Sequence, residues 1–218
     1  MFYVIATMAD NKGIISHKEK VQPDLNAVNN LFPIFLKLEH LSMLIVGGGY
    51  VGMEKLSAVL QNSPNANIKL VATVISDEIK ELVKQYPKVT LIEKPYQAKD
   101  IDGADLVIAA VNDRAVSEQI SIDTKQKGKL VNAADKPGLC NFYLSSVVQK
   151  GNLKIAISTN GKSPTIAKRI KEVLNDTIPD EIDSLLSNME KVRNKMSGDF
   201  TEKVKQLNEL TKKLSENK

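Results

Sequence analysis

Four glycines lie within six positions in the stretch LIVGGGYVGMEK, which runs from Leu44 to Lys55. Gly47, Gly49 and Gly52 have the spacing G-x-G-x-x-G, between an apolar run typical of a buried strand and a segment with helical spacing. Glycine costs backbone entropy, so such a cluster indicates positions where side chains cannot be tolerated. In this context the three glycines allow a tight turn, the approach of a pyrophosphate to the backbone, and close helix–strand packing. A tight turn without a ligand is the alternative.

The N-terminus of the helix that follows these glycines is suited to an anion, because its N–H groups lack partners and its dipole is positive there. We therefore predict that a dinucleotide cofactor binds at this loop. The predicted contacts are Gly47, Gly48, Gly49, Tyr50, Val51 and Gly52.

The second predicted strand lacks the acidic residue that holds a ribose hydroxyl in many dinucleotide sites. It ends in VATVISDE, in which Val71–Val74 are not acidic and Ser76 and Asp77 come late. The ribose contact is therefore unassigned. No arginine stands there to bind a 2′-phosphate, which favours NAD over NADP slightly.

Polar residues also follow two later strands, whose carboxyl ends are where ligands gather in a doubly wound sheet. The stretch VIAAVND places Val111, Asn112 and Asp113 near the nucleotide, although capping of the next helix explains Asn112 and Asp113 equally well. Asp135 directly follows the strand LVNAA. From position alone, Asp135 either takes part in chemistry or starts a turn before Pro137.

Strands alternate with helices from Leu31 to Asp135, which predicts βαβ units and a doubly wound parallel sheet. The predicted strands are residues 42–48, 67–75, 89–94, 104–111 and 129–134, and the predicted helices are residues 50–63, 76–86 and 115–128. The fold class is thus α/β, with a Rossmann-type NAD-binding domain.

The pattern changes after Asp135. Residues 142–159 contain two β-rich runs around a Gly151-Asn152 turn, which predicts a hairpin. Ser163 and Pro164 then begin a helix, as N-cap and first helical residue. Residues 180–218 are predicted to be helical throughout, as one helix or a helix pair with a single apolar stripe that packs on its own core or on a second subunit.

Several motifs in this order resemble the precorrin-2 dehydrogenase family, the N-terminal type of siroheme synthase, some members of which are also sirohydrochlorin ferrochelatases. The motifs are FPIFL before the first strand, the GGG loop, LVIAAVND, VNAADKP and STNGKSP. The resemblance covers roughly residue 30 to the end. It implies an NAD-binding domain, a small β-containing dimerisation region, a helical C-terminal part and an intertwined homodimer.

The resemblance also implies NAD-dependent oxidation of precorrin-2 to sirohydrochlorin, with iron insertion as an open second activity in which ferrous iron would be a substrate and no permanent metal is expected. The family's key carboxylate falls on Asp135, which could act as general base. A carboxylate-rich tetrapyrrole would bind at the helix start in STNGKSPTIAKR, where hydroxyls and cations meet an N-terminus. The predicted contacts are Ser158, Thr159, Asn160, Gly161, Lys162, Ser163 and Arg169. Simple N-capping by Ser163 is compatible with this role.

The chain departs from the family pattern at three places: VGMEK after the glycines, Val111 where threonine is usual, and Asn141 where aspartate is frequent. The Val111 change could alter a cofactor contact. The expected divisions are an N-terminal arm, the NAD-binding domain, the dimerisation region and the helical domain, at residues 1–30, 31–139, 140–165 and 166–218.

Composition excludes some classes of site. Cys140 is the only cysteine, so an intrachain disulfide and multi-cysteine zinc sites are excluded and a reducing, cytoplasmic setting is expected. The two histidines are too few and too far apart to indicate a His-rich metal site. No apolar run approaches the length of a membrane span, and no signal peptide is expected. A net charge of +4 with 5% aromatic residues does not favour nucleic acid. The alternative to an enzyme is a non-catalytic NAD-sensing protein whose helical tail binds a partner.

Overall fold

The computed structural model describes residues 29–212. The chain divides into two units, residues 1–32 and 33–218, and every element below belongs to the second. The predicted N-terminal arm, residues 1–30, lies almost wholly outside the described residues.

Five parallel strands form the main sheet, which confirms the predicted fold class. The strands lie in the order β3-β2-β1-β4-β5. Their bounds are Ser42–Val46 (β1), Asn67–Ala72 (β2), Val89–Glu93 (β3), Leu106–Ala109 (β4) and Leu130–Ala133 (β5). The strand order reverses between β1 and β4, and at that switch point the carboxyl ends of the strands leave a crevice for ligands.

Helices cover both faces of this sheet, because its strands are apolar on both sides. Met43 and Ile45 pack under the first two helices, whereas Leu44 and Val46 point to the other face, against the third helix and a short 3-10 helix, Ala98–Ile101. The three helices are Tyr50–Asn62 (α1), Asp77–Leu82 (α2) and Arg114–Gln126 (α3).

Most predicted elements of the sheet domain are slightly shorter than expected, and two of them end three or more residues early. The second strand ends at Ala72 and not at residue 75, because the segment after it folds onto the glycine loop, where the Ser76 N–H donates to the Gly48 carbonyl at 2.9 Å. The helix predicted over residues 76–86 ends at Leu82 and continues as a 3-10 turn, Val83–Gln85.

The predicted hairpin is present after the sheet. Ser146–Lys150 (β6) and Leu153–Ile157 (β7) pair antiparallel, and Gly151 at the turn has φ +53°. The helix Pro164–Thr177 (α4) packs on the hairpin, with Ser163 accepting from the Ile166 N–H at 3.2 Å.

The C-terminal segment is a pair of helices, Ile182–Lys195 (α5) and Phe200–Thr211 (α6). The prediction of helix throughout residues 180–218 is wrong for residues 196–199, where Gly198 has φ +106° and Asp199 caps α6 through the Glu202 N–H. Residues 213–218 lie outside the described part. Among the described residues, no helix has the length and apolar character needed to cross a membrane.

One carboxylate ties α5 to the hairpin turn. Asp183 Oδ1 accepts from the backbone N–H of Asn152 at 2.7 Å and from its side-chain amide at 2.9 Å. These hydrogen bonds, the backbone one first, hold the pKa of Asp183 below its ordinary value. A methyl group on Gly151 would collide with the same carboxylate.

The Asp183 contact predicts a pH-dependent attachment of α5. Because the folded pKa is depressed, the contact stabilises the fold above the carboxyl group's ordinary pKa and is lost as pH falls through the folded value. At neutral pH, Asp183→Ala should increase the rate of limited proteolysis within α5. Glu190→Ala removes an exposed carboxylate from the same helix and should change that rate little. Equal effects of the two substitutions would contradict the contact's role.

Candidate functional site

A cavity of about 370 Å³ opens at the carboxyl edge of the sheet, at the switch point. It is lined by Val46, Gly47, Gly48, Gly49, Tyr50, Val51, Ala72, Thr73, Val74, Tyr96, Ala110, Val111, Asn112, Asp113 and Val116. Eight of the nine residues predicted to contact a dinucleotide therefore lie around one cavity. The ninth, Gly52, is buried in the first turn of α1 and does not line the cavity.

Three of the glycines are required by the fold itself. Gly47 has φ +125°, and a Cβ there would collide with the carbonyl of Ala110 at the end of β4. A Cβ on Gly52 would collide with the Gly47 carbonyl, so α1 packs on its own loop at this point. Gly48 faces the carbonyl of Val74 in the same way. These positions bring β1, β2 and β4 together closely.

Gly49 is different, because a Cβ at this position would meet no atom within 4 Å. Its φ of −95° and ψ of −158° are accessible to any residue. Packing and backbone conformation therefore do not require glycine at position 49. A ligand that approaches the backbone from the cavity would explain it.

The N-terminus of α1 opens at the same place. Within residues 29–212, no side chain caps this helix and no acidic residue lies in its first turn, whereas Ser76, Asp113, Ser163 and Asp199 cap other helices. The N–H groups of the first turn and the positive end of the dipole suit an anion. The cavity, the bare helix start and the open position at Gly49 together fit the pyrophosphate of a dinucleotide.

At the β4 end of the cavity, Asp113 Oδ1 accepts from the Val116 N–H at 3.0 Å and so caps α3. Asp113 is therefore the N-cap of α3, which was one of the two roles predicted for it. Asn112 is exposed beside it, and Val111 packs against the apolar cluster under α3.

Asp135 lies just beyond β5, at the same edge of the sheet but two strands from β1, and it does not line the cavity. Its side chain is exposed and its φ is +58°, a left-handed conformation that costs a non-glycine residue about 1–2 kcal/mol. Strain of this kind is concentrated at functional sites.

The turn that carries Asp135 is held in place from two sides. The Ala133 N–H donates to Cys140 Sγ at 3.2 Å, and the Lys136 N–H donates to the Ala133 carbonyl at 3.2 Å. Lys136 Nζ also donates to Ser117 Oγ of α3 at 2.8 Å. These bonds maintain the left-handed backbone at Asp135. Cys140 is thus a half-buried structural thiol.

The residues predicted to bind a tetrapyrrole adjoin a second, smaller cavity of about 250 Å³ between the hairpin and the start of α4. Ser158, Thr159 and Gly161 line it, together with Tyr143, Leu144, Ser145, Ser146, Ile157, Pro164 and Ala167. Asn160, Lys162, Ser163 and Arg169 are not lining residues. Ser163 caps α4, and Arg169 Nη1 pairs with Glu172 at 2.6 Å.

Seven residues of the first cavity were not among the predicted contacts: Val46, Ala72, Thr73, Val74, Tyr96, Ala110 and Val116. Thr73 and Val74 line it where the ribose-binding acid was sought, and Tyr96 lines it from the segment after β3. The signal for Tyr96 was its place just after a predicted parallel strand. No three His, Cys, Asp or Glu side chains in the described range are grouped as metal ligands.

Comparison with known proteins gives two family matches. Residues 34–146, about half of the chain, match the NAD_binding_7 model of NAD(P)-binding proteins. Residues 150–176 match the model described as "Sirohaem biosynthesis protein central".

Individual relatives agree with these models. A "Siroheme synthase" of Psychrobacter sp. (strain PRwf-1) is 37% identical over 81% of this chain and 34% of its own length, and that of Pseudomonas fluorescens (strain SBW25) is 36% identical over 67% and 31%. The chain thus spans about a third of the length of the curated relatives it matches. The solved structure "SirC, precorrin-2 dehydrogenase" is 27% identical, has a TM-score of 0.67, and is matched over 83% of this chain and 89% of that one.

Proposed function

Because the chain belongs to the NAD_binding_7 family of NAD(P)-binding proteins, we propose that it uses NAD to oxidise precorrin-2 to sirohydrochlorin in siroheme biosynthesis. The resemblance to the precorrin-2 dehydrogenase family that the sequence motifs indicate is confirmed by the two family models, the siroheme synthase relatives and the structural match. The observation that supports the cofactor most directly is the open position at Gly49 beside the bare N-terminus of α1.

In this proposal the glycine loop and the first turn of α1 bind the pyrophosphate. The N–H groups supply hydrogen bonds, and Gly49 leaves the space that the phosphates need. The nicotinamide ring, when bound, accepts a hydride. The cavity runs from β2 and β3 to β4, and Asp135 lies beyond β4, so the nicotinamide half would extend towards β5.

Asp135 is the proposed catalytic base. Removal of a hydride from precorrin-2 must be accompanied by loss of a proton, and a carboxylate can take that proton. Asp135 is exposed, so substrate can reach it, and its turn is held by Cys140 and by Lys136. Oxidation by two electrons then gives one sirohydrochlorin, one NADH and one proton.

The substrate's carboxylates are proposed to bind at the second cavity. Ser158, Thr159 and Gly161 line this cavity near the N-terminus of α4, and hydroxyl groups beside a helix start favour anions. Arg169 already pairs with Glu172, so its contribution requires that this exposed pair opens.

The experiment that tests the proposed function is anaerobic incubation of the purified chain with precorrin-2 and NAD, followed by absorption spectra. Formation of sirohydrochlorin supports the dehydrogenase, and an unchanged spectrum contradicts it. A parallel sample with ferrous iron tests the second reaction implied by the resemblance, in which iron is a substrate: siroheme would form faster with the protein than without it.

We further propose that the enzyme works in the cytoplasm, because the free thiol of Cys140 fits a reducing compartment. We also propose that it is a homodimer. The face of α4 formed by Ile166, Ile170 and Val173 is unusually exposed for apolar residues, at 52%, 40% and 62%. The three residues are spaced as one stripe of the helix. A stripe of this kind suits a subunit interface.

The dimer predicts a particle of about twice the chain mass of 24.0 kDa in light scattering. Ile170→Glu would bury a charge at the interface and should shift the particle towards monomer. Lys168→Glu introduces the same side chain on another face of α4 and should leave the dimer in place. A wild-type monomer would contradict the proposal.

A further inference from the structure

One wall of the cavity is formed by residues that follow β2 and β3. The proposed function assigns no ligand contact to this wall. If the pyrophosphate lies at the glycine loop and the nicotinamide extends towards β5, the adenosine half must extend towards this wall. The following inference therefore rests on the proposed function. It concerns which residue receives the adenine.

Tyr96 is the aromatic residue of this wall. It lies three positions after the end of β3 and lines the cavity together with Thr73 and Val74. Its ring is half-buried and packs against the apolar cluster that includes Ile101 and Ile120. Tyr50 also lines the cavity, but its side chain is 85% exposed and has no comparable packing.

A buried carboxylate fixes the hydroxyl group of Tyr96. Tyr96 Oη donates to Asp123 Oδ2 of α3 at 2.8 Å, and Gln119 Nε2 donates to Asp123 Oδ1 at 2.7 Å. Asp123 is only 9% exposed, and a carboxylate at such a position needs hydrogen bonds to both oxygens. Burial, followed by the hydrogen bond to Asp123, raises the pKa of Tyr96, so the phenol keeps the proton that it donates.

A second buried carboxylate fixes the segment on which Tyr96 lies. Asp100 is 6% exposed, and its two oxygens accept from Lys94 Nζ at 2.7 and 2.5 Å. Asp100 Oδ2 also accepts from the Gln97 N–H at 2.9 Å. Burial raises the pKa of Asp100, but the hydrogen bonds from Lys94 and Gln97 outweigh it, and the pKa lies below its ordinary value. The segment 94–100 is thus held on both sides of Tyr96.

We propose that Tyr96 binds the adenine of the dinucleotide on its ring, and that Asp123 is a positioning residue that holds the ring at the cavity wall. An aromatic side chain offers a purine a flat stacking surface, which strengthens the binding of any base. Because two buried carboxylates already fix the segment, little side-chain freedom is lost on binding. Packing of the core alone does not require that a tyrosine in the cavity wall donate a hydrogen bond to a buried carboxylate.

The test is the affinity for ADP-ribose, which carries the adenosine and pyrophosphate but no nicotinamide, measured by titration calorimetry. Tyr96→Leu should raise the dissociation constant about tenfold or more. Tyr96→Phe keeps the ring and should stay within about threefold of wild type. Tyr86→Leu removes a partly buried tyrosine from the opposite face of the sheet and should not change ADP-ribose affinity.

The role of Asp123 is tested by coupling to Tyr96. Asp123→Leu should raise the dissociation constant for ADP-ribose in the protein with Tyr96 by about as much as Tyr96→Phe does, up to about threefold, because either substitution breaks the hydrogen bond that holds the ring. In the Tyr96→Phe protein the same substitution should have little further effect, since phenylalanine has no hydroxyl to hold. A structural role of Asp123 independent of Tyr96 would give equal losses in both proteins and would overturn the positioning role.

Other outcomes separate this inference from the proposed function. If wild type binds ADP-ribose and a folded Tyr96→Leu protein binds it within twofold as tightly, Tyr96 is not the adenine site and the proposed function still stands. If wild type binds neither ADP-ribose nor NAD, both fail. Circular dichroism of each variant shows whether it is folded. If Tyr96→Leu is not folded, Tyr96→Met, which also lacks an aromatic ring, replaces it in the same comparison.

Discussion

Asp135→Asn is expected to bind NAD as tightly as wild type while its kcat for precorrin-2 oxidation falls by at least about 100-fold. The amide cannot take a proton, so the loss is in the chemical step. Asparagine is the appropriate substitution because it adopts the left-handed backbone, here φ +58°, about as readily as aspartate. Alanine would add strain of about 1–2 kcal/mol and so mix a folding effect with a catalytic one.

The matched control for this substitution is Asp102→Asn. Asp102 is an exposed carboxylate in an ion pair with Lys127, away from the carboxyl edge of the sheet, and its replacement should leave kcat unchanged. Steady-state kinetics and calorimetric titration with NAD are the measurements. If Asp135→Asn retained turnover within about threefold of wild type, Asp135 would not be the base. The alternative of a non-catalytic NAD sensor would instead show NAD binding and no turnover in any variant.

Gly49→Ala is expected to fold with nearly wild-type thermal stability and to lose about 10- to 100-fold in NAD affinity. The added methyl group meets no protein atom within 4 Å, so the protein without cofactor is not strained. In the complex the methyl group occupies the space of the phosphates and breaks charge-assisted hydrogen bonds of about 1.5–3 kcal/mol each.

Gly52→Ala is the contrast to Gly49→Ala. Its methyl group collides with the Gly47 carbonyl, so stability should fall by about 1–3 kcal/mol and NAD affinity should fall with it. Thermal unfolding and calorimetric titration of both variants measure the difference. A Gly49→Ala protein that binds NAD as well as wild type would show that no pyrophosphate approaches the backbone at this loop.

The sheet domain was predictable because its signals are local. Each strand is a short apolar run, α2 begins at a serine cap, and the glycine loop joins a strand to a helix as its spacing predicts. The hairpin was predictable from the Gly151-Asn152 turn between two β-rich runs. These features depend on neighbours in the chain, which a sequence displays directly.

The features that were missed depend on tertiary contacts. Gly48 was predicted only as a cofactor contact, but the fold itself requires glycine there because the segment after β2 packs on it. No residue near Gly48 in the sequence indicates this packing. Tyr96 lines the same cavity as the glycine loop only because of the order of the strands, and its partner Asp123 lies on α3, far along the chain. The break at residues 196–199 was missed because the apolar stripe continues on both sides, although Gly198 and Asp199 are signals for a helix end and start.

The most direct test of the central claim is the ratio of NADH to sirohydrochlorin formed by the wild-type chain from precorrin-2 under anaerobic conditions. The proposed reaction transfers one hydride for each tetrapyrrole oxidised, so the two products should appear at equal rates and in a ratio of about one, and neither should form without NAD. Sirohydrochlorin formed without matching NADH, or binding of NAD with no oxidation of precorrin-2, would contradict the account.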